Sequence, residues 1–309
     1  MGLTYPEAIV VGLVQGVTEL FPVSSLGHSV LLPALVGGRW ARDLNVSAPE
    51  SPYLAFIVGL HVATALALLV FFRADWVRIV RGFLTSVRDR SVSTSDQRLA
   101  WLLVLATVPV GILGLLLEHT FRTVLGKPLP AAAFLFANGL ILLAGERLRR
   151  RAPDPALREA ALAGGRTAAP APSDVDTAAD RRLAGLGARS ALFVGAVQAL
   201  ALLPGISRSG SAMVAGLVRG LDHEDAARFS FLLATPVILA AGVLKLPDLA
   251  GPLGAGIRGQ VLAGSIVSGL AAYASVRWLT RWFSTRTLTP FAIYSLLAGA
   301  GAFVVLAAR

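Results

Sequence analysis

The chain has 309 residues, of which 55% are hydrophobic and only 15% charged, with a mean hydropathy of +0.69; soluble domains carry about 25% charged residues. It has no cysteine, which excludes disulfides, thiolate catalysis and Cys-ligated metals. The net charge of +10 does not point to nucleic acid, because the Arg residues flank apolar runs and form no aromatic-interleaved basic stripe; the lipid bilayer, its anionic headgroups and an anionic substrate are the expected partners.

The opening MGLTYPEAIV lacks a basic region and carries Pro6 and Glu7, so no cleavable signal is expected. Residues 6–35 are apolar but interrupted by Pro, Gly, Ser and ionisable side chains. Such a break at membrane depth is tolerated only where backbone is buried in protein or lines a cavity, so a re-entrant or broken helix is expected. Three spans follow, near 52–72, 100–118 and 131–148, each close to the ~20 residues that cross a ~30 Å hydrocarbon core. Residues 149–188 are rich in Ala, Pro, Asp and Arg without a sustained apolar face, and read as a largely disordered cytoplasmic linker. A second broken segment, 190–218, precedes three more spans near 228–246, 258–278 and 289–308. The fold class is therefore an all-α polytopic membrane protein, with about six transmembrane helices and two re-entrant helical hairpins.

The broken segments resemble each other. VGLVQGVTELFPVSSLGHS (11–29) aligns without gaps to VGAVQALALLPGISRSGSA (194–212), sharing Gly12/Gly195, Gln15/Gln198, Ser24/Ser207 and Gly27/Gly210. Because three spans follow each copy, the second must sit upside down relative to the first, an inverted repeat. Residues 1–148 form the first repeat and 189–309 the second, joined by the linker. With both hairpins non-crossing, 20 of the 28 Arg and Lys fall on one side and 7 on the other. The positive-inside rule makes the richer side cytoplasmic and puts both termini outside.

Chemistry concentrates in the two breaks. Gln15 and Glu19 share a helix face at four-residue spacing, and a membrane-embedded carboxylate marks a functional site by default. Ser24, Ser25 and His28 follow at the Pro22 break. In the second segment Gly205, Ser207, Arg208, Ser209, Gly210 and Ser211 form a plausible anion cradle. There glycines admit close backbone approach, hydroxyls donate, and a guanidinium grips phosphate. Asp222, His223, Glu224 and Asp225 have a metal-like composition, but N-capping and helix-dipole roles suit the start of the next span better. His61 reads as a span-end residue and His119 as an external-loop residue.

QGVTELFPVSSLGH and PGISRSGS resemble the two signature regions of the undecaprenyl-diphosphate phosphatase family, also known as the bacitracin-resistance protein family. The resemblance runs along nearly the whole chain. Gln15 and Glu19 match its first motif, and Pro204, Gly205, Ser207, Arg208 and Ser209 its second, but Ala212 stands where the family has Thr. What the resemblance implies is a bacterial inner-membrane hydrolase with its active site on the extracytoplasmic side. It would remove the terminal phosphate of undecaprenyl diphosphate, with Mg²⁺ or Ca²⁺ as cofactor, and recycle the lipid carrier for cell-wall synthesis. Arg208 and the serines would hold the diphosphate, Glu19 with Gln15 would hold the cation or act as base, and Ser25 or His28 would be the nucleophile. A transporter or flippase for an anionic lipid is the alternative, since inverted repeats with broken helices are also transporter features. Phosphatidic-acid-phosphatase-type enzymes need a Lys before an Arg-Pro pair; this chain has only Lys127 and Lys245 and no Arg-Pro.

Overall fold

A computed structural model describes residues 3–44, 52–120, 125–151, 180–251 and 254–309, and the regular structure among them is helical. The first broken segment is the pair α1 (Tyr5–Thr18) and α2 (Ser25–Val36), followed by short α3 (Gly38–Asp43). Then come α4 (Pro52–Phe71), α5 (Arg73–Asp89), α6 (Ser95–Thr120) and α7 (Pro128–Arg151). The second broken segment is α8 (Ala188–Gln198), which tightens into a 3₁₀ turn at Ala199–Leu202, and α9 (Arg208–Val218). The chain closes with α10 (His223–Ala250), α11 (Arg258–Phe283) and α12 (Thr289–Ala307). The six expected spans fall on α4, α6, α7, α10, α11 and α12; most of the expected linker (152–179) lies outside the described residues.

Both broken segments are re-entrant. Arg39 Nε lies 3.8 Å from Glu7 Oε1, so the chain leaves the first hairpin on the face where it entered. Arg219 Nε donates to Ser190 Oγ at 3.0 Å and closes the mouth of the second in the same way. The mouths lie on opposite faces. Glu146, near the end of α7, meets His223 at the start of α10 at 2.6 Å and accepts from the Leu288 amide at the start of α12 at 2.7 Å. These three helix ends therefore share the face of the second hairpin's mouth. From there α12 crosses to the other face, where Arg309 donates to the Ala34 and Leu35 carbonyls at the end of α2. Asp222 caps α10, its Oδ1 accepting from the Asp225 amide at 2.7 Å, as the capping reading expected.

The pairing of helices repeats in the two halves: α1 packs along α11, and α8 along α6. Contact is backbone to backbone. A Cβ at Gly12 would stand 2.4 Å from the Gly264 carbonyl oxygen, and one at Gly195 only 2.2 Å from that of Ala106. Small residues permit such approach where packing, rather than the hydrophobic effect, drives helix association. Outward faces stay apolar: Leu115, Leu116, Leu262, Leu270, Leu297 and Val304 are each 64% or more exposed, an arrangement suited to lipid.

Five helices among the described residues are long and apolar enough to cross a membrane; α4 with α5 forms a further candidate, bent by 89°. The bend separates two environments. On α5, Val77, Val80, Leu84 and Val87 are exposed along one stripe, while Asp75, Ile79, Gly82 and Ser86 face the protein. Such an amphipathic helix, with Arg73, Arg81 and Arg88 beside its apolar stripe, suits the membrane interface. Its inner face is fixed by a charge cluster in which Arg78 and Arg228 both pair with Asp75 and Asp180.

Candidate active site

Each hairpin turns where its sequence makes continued helix costly. α1 stops at Glu19, just before Pro22, and Ser24 takes a positive φ of 68° before α2 begins. A non-glycine residue there is strained, and its side chain offsets this: Ser24 Oγ accepts from the Gly27 amide of its own helix and from the Gly205 amide of the other hairpin, both at 3.2 Å. The second turn uses Gly205 at φ 115°, pressed so closely on α7 that a Cβ would stand 2.4 Å from the Ala131 carbonyl oxygen. Ser207 then caps α9, accepting from the Gly210 amide at 3.1 Å. Asn138 of α7, fully buried, joins the tips: its Nδ2 donates to the Pro22 carbonyl at 3.0 Å and its Oδ1 accepts from the Ser207 amide at 2.9 Å. Ser209 Oγ adds a bond to the Phe21 carbonyl at 3.2 Å. Buried backbone groups at both breaks thus find partners across the hairpins, as burial away from water demands.

The polar centre between the tips is Glu19. Its Oε1 accepts from Arg208 Nη2 at 3.0 Å and from Nε at 3.3 Å. Its Oε2 accepts from Ser25 Oγ at 2.5 Å and Gln15 Nε2 at 3.0 Å, and lies 3.2 Å from His61 Nε2. The other ring nitrogen of His61 faces the Ile57 carbonyl at 2.8 Å, so the imidazole is held between the carboxylate and a backbone oxygen. A buried carboxylate is tolerated only when paired and hydrogen-bonded, and this one has both.

Glu19, Ser25, His61 and Arg208 line one cavity of about 270 Å³, together with Ser24, Ser207 and Gln198. The rest of its wall is mainly apolar, including Ile57, Val58, Val110, Ile206, Val237 and Ile238. Of the residues expected at the site, Glu19, Ser24, Ser25, Ser207 and Arg208 meet here, and Gln15 reaches it through Glu19. Gly205, Ser209 and Gly210 shape the second turn from behind the cavity wall. Ser211 is buried with its hydroxyl unpartnered and does not line the cavity; Ala212 packs in the apolar core, so neither supplies the hydroxyl the motif's Thr would carry. His28 is not brought to the carboxylate. Its Nδ1 sits 2.7 Å from the Ser24 carbonyl and its Nε2 2.7 Å from the Tyr294 hydroxyl, and it is absent from the cavity wall. The imidazole at Glu19 is instead that of His61, within α4 rather than at a span end.

Among the described residues no group of three or more His, Asp or Glu side chains could hold a metal ion unaided. The donors present are the Glu19 carboxylate and Gln15 Oε1, which is buried without a partner. Both Glu19 oxygens are already engaged by Arg208, Ser25, Gln15 and His61, and Gln15 does not border the cavity, so the residues present do not fit a resident cation.

Residues 8–301 match the family model described as "Bacitracin resistance protein BacA". The chain is 66% identical to the undecaprenyl-diphosphatase of Mycolicibacterium paratuberculosis, over 99% of each chain. It is 58% identical to undecaprenyl-diphosphatase 1 of Frankia casuarinae over 96% of each, and 43% identical to undecaprenyl-diphosphatase 2 of Chromobacterium violaceum over 95% of each.

Proposed function

The chain belongs to the BacA bacitracin resistance protein family, and from that premise we propose that it is a membrane phosphatase converting undecaprenyl diphosphate to undecaprenyl phosphate and inorganic phosphate. The observation that carries this reading is the meeting of a hydroxyl, a carboxylate and a guanidinium, Ser25, Glu19 and Arg208, in one mainly apolar cavity. A volume of about 270 Å³ is below the ~300–1,000 Å³ of pockets that enclose a whole drug-sized ligand. It suits the headgroup end of the lipid, leaving the tail against the apolar helices.

Ser25 is the nucleophile. Its Oγ already donates to Glu19 Oε2, so proton and acceptor are aligned before substrate arrives. Attack forms the bond from Oγ to the terminal phosphorus and breaks the bond from that phosphorus to the bridging oxygen. The bonding pair leaves with undecaprenyl phosphate, and Glu19 receives the serine proton. Glu19 passes that proton to the departing phosphate oxygen and is a carboxylate again. Water then attacks the phosphoserine while Glu19 takes its proton, the bond from phosphorus to Ser25 Oγ breaks, and Glu19 returns the proton to Oγ as phosphate leaves. Arg208 offsets charge on the transferring group through Nη1, the guanidinium nitrogen left without a partner among the described residues. Gln15 and His61 hold the carboxylate in position.

The site opens to the extracytoplasmic side of the bacterial inner membrane in this reading. With the Arg-rich side cytoplasmic, the lining residues Ile57, Val110, Ile238 and Gly242 fall on the outward halves of their helices. The test is phosphate release from undecaprenyl diphosphate by the purified protein. Wild type should turn over, and Ser25→Ala should lose at least roughly 100-fold in kcat with the fold retained. Transport of uncleaved lipid by the wild type, or full activity in Ser25→Ala, would contradict the reading.

A further inference from the structure

Gln198 lines the cavity, is fully buried, and has no hydrogen-bond partner at either Oε1 or Nε2. Buried carboxamides are rarely left so, because both ends have lost water and gained nothing in return. Its counterpart in the repeat explains how this arose. Gln15 occupies the same place in the first hairpin and spends its Nε2 on Glu19, four residues further along. Four residues beyond Gln198 stands Leu202, so the second hairpin offers its glutamine no carboxylate. The helix moreover tightens into a 3₁₀ turn immediately after Gln198, which removes the face a side chain at 202 would share with it. Arg208 Nη1, another buried donor with no partner, borders the same cavity.

We infer that Gln198 is a substrate-binding residue: its Nε2 donates to a non-bridging oxygen of the diphosphate while its Oε1 accepts from a water or protonated phosphate oxygen in the same cavity. The inference rests on the phosphatase reading and deepens it. The second hairpin then contributes two donors to the anion, one charged and one neutral, and the first contributes the reacting groups. A neutral amide adds a directed bond without a further charge.

The experiment measures KM, kcat and melting temperature for Gln198→Leu and Gln198→Met with undecaprenyl diphosphate, and the melting shift caused by inorganic diphosphate. KM should rise roughly 10- to 100-fold, as loss of a bond to a charged group implies, while kcat falls less. The melting temperature without ligand should hold or increase, because an unmet buried amide has been replaced by an apolar side chain, and the diphosphate-induced shift should shrink. An unchanged KM in either folded variant would overturn the inference. So would a lowered melting temperature with unaltered KM, or failure of both variants to fold, since each would show that the carboxamide serves the protein alone. Absence of phosphate release from wild type is a separate outcome, which removes the phosphatase reading and this inference with it.

Discussion

The two hairpins share a plan and differ in what they carry. Ser25 and Arg208 occupy equivalent positions in the aligned segments, and each is the first residue of its returning helix. Each is preceded by a serine whose hydroxyl caps that helix, Ser24 on Gly27 and Ser207 on Gly210. Gln15 and Gln198 stand at matched positions on the entering helices. The scaffold is therefore doubled, whereas the chemistry is single. Only the first copy keeps a carboxylate, Glu19 against Leu202, and only the second has a cation at the head of its helix. Divergence at these positions turns a symmetric crossing of two helix breaks into a polar site, with a carboxylate and a hydroxyl on one side and a guanidinium on the other.

That comparison can be broken at the joint between the hairpins. Asn138 is bonded to the Pro22 carbonyl of one tip and the Ser207 amide of the other. Asn138→Leu would leave both groups buried without partners, at about 1–3 kcal/mol each. Thermal unfolding should show the largest stability loss of any change away from Glu19 and Arg208, with phosphatase activity falling in parallel. Full retention of both would mean that the tips are held by other means.

A smaller effect sharpens the symmetry itself. Gly12→Ala and Gly195→Ala each force a Cβ onto a facing backbone oxygen, at 2.4 and 2.2 Å. Overpacking of this kind costs about 1–3 kcal/mol. The two should destabilise by similar amounts in separate melting curves, because both halves use the same close approach. A cost confined to one half would show that only one of the contacts is tight.

Much of this arrangement was legible in the sequence because a membrane makes exceptions conspicuous. Pro, Gly and Ser inside otherwise apolar stretches marked the two breaks, and Glu19 and Arg208 stood out because an ionisable group at that depth needs a partner. His61 carries the same signal: FIVGLHVATALAL is an apolar run with a single imidazole inside it. Nothing around His61 interrupts the helix, so no break in the sequence marks it. His28, by contrast, lies close to a break. Three residues beyond Ser25 on α2, its ring turns to Tyr294, against which it stacks at 5.8 Å, and a motif's spacing does not reveal that direction. Asn138 lies in a span whose apolar pattern it barely disturbs, and its role depends on two chain segments that only tertiary structure brings together. The α4–α5 bend leaves no mark in the sequence, because the 52–72 run ends where the amphipathic stretch begins, with no glycine or proline between them.

The central claim is that a carboxylate from one hairpin and a guanidinium from the other work as one unit on phosphate. A double-mutant cycle on kcat/KM for Glu19→Gln and Arg208→Lys measures this directly. Groups that act together are strongly non-additive, so the double variant should be little worse than the more damaged single variant. Losses that multiply, with the double variant falling to the product of the two singles, would show that Glu19 and Arg208 act independently and would contradict the account.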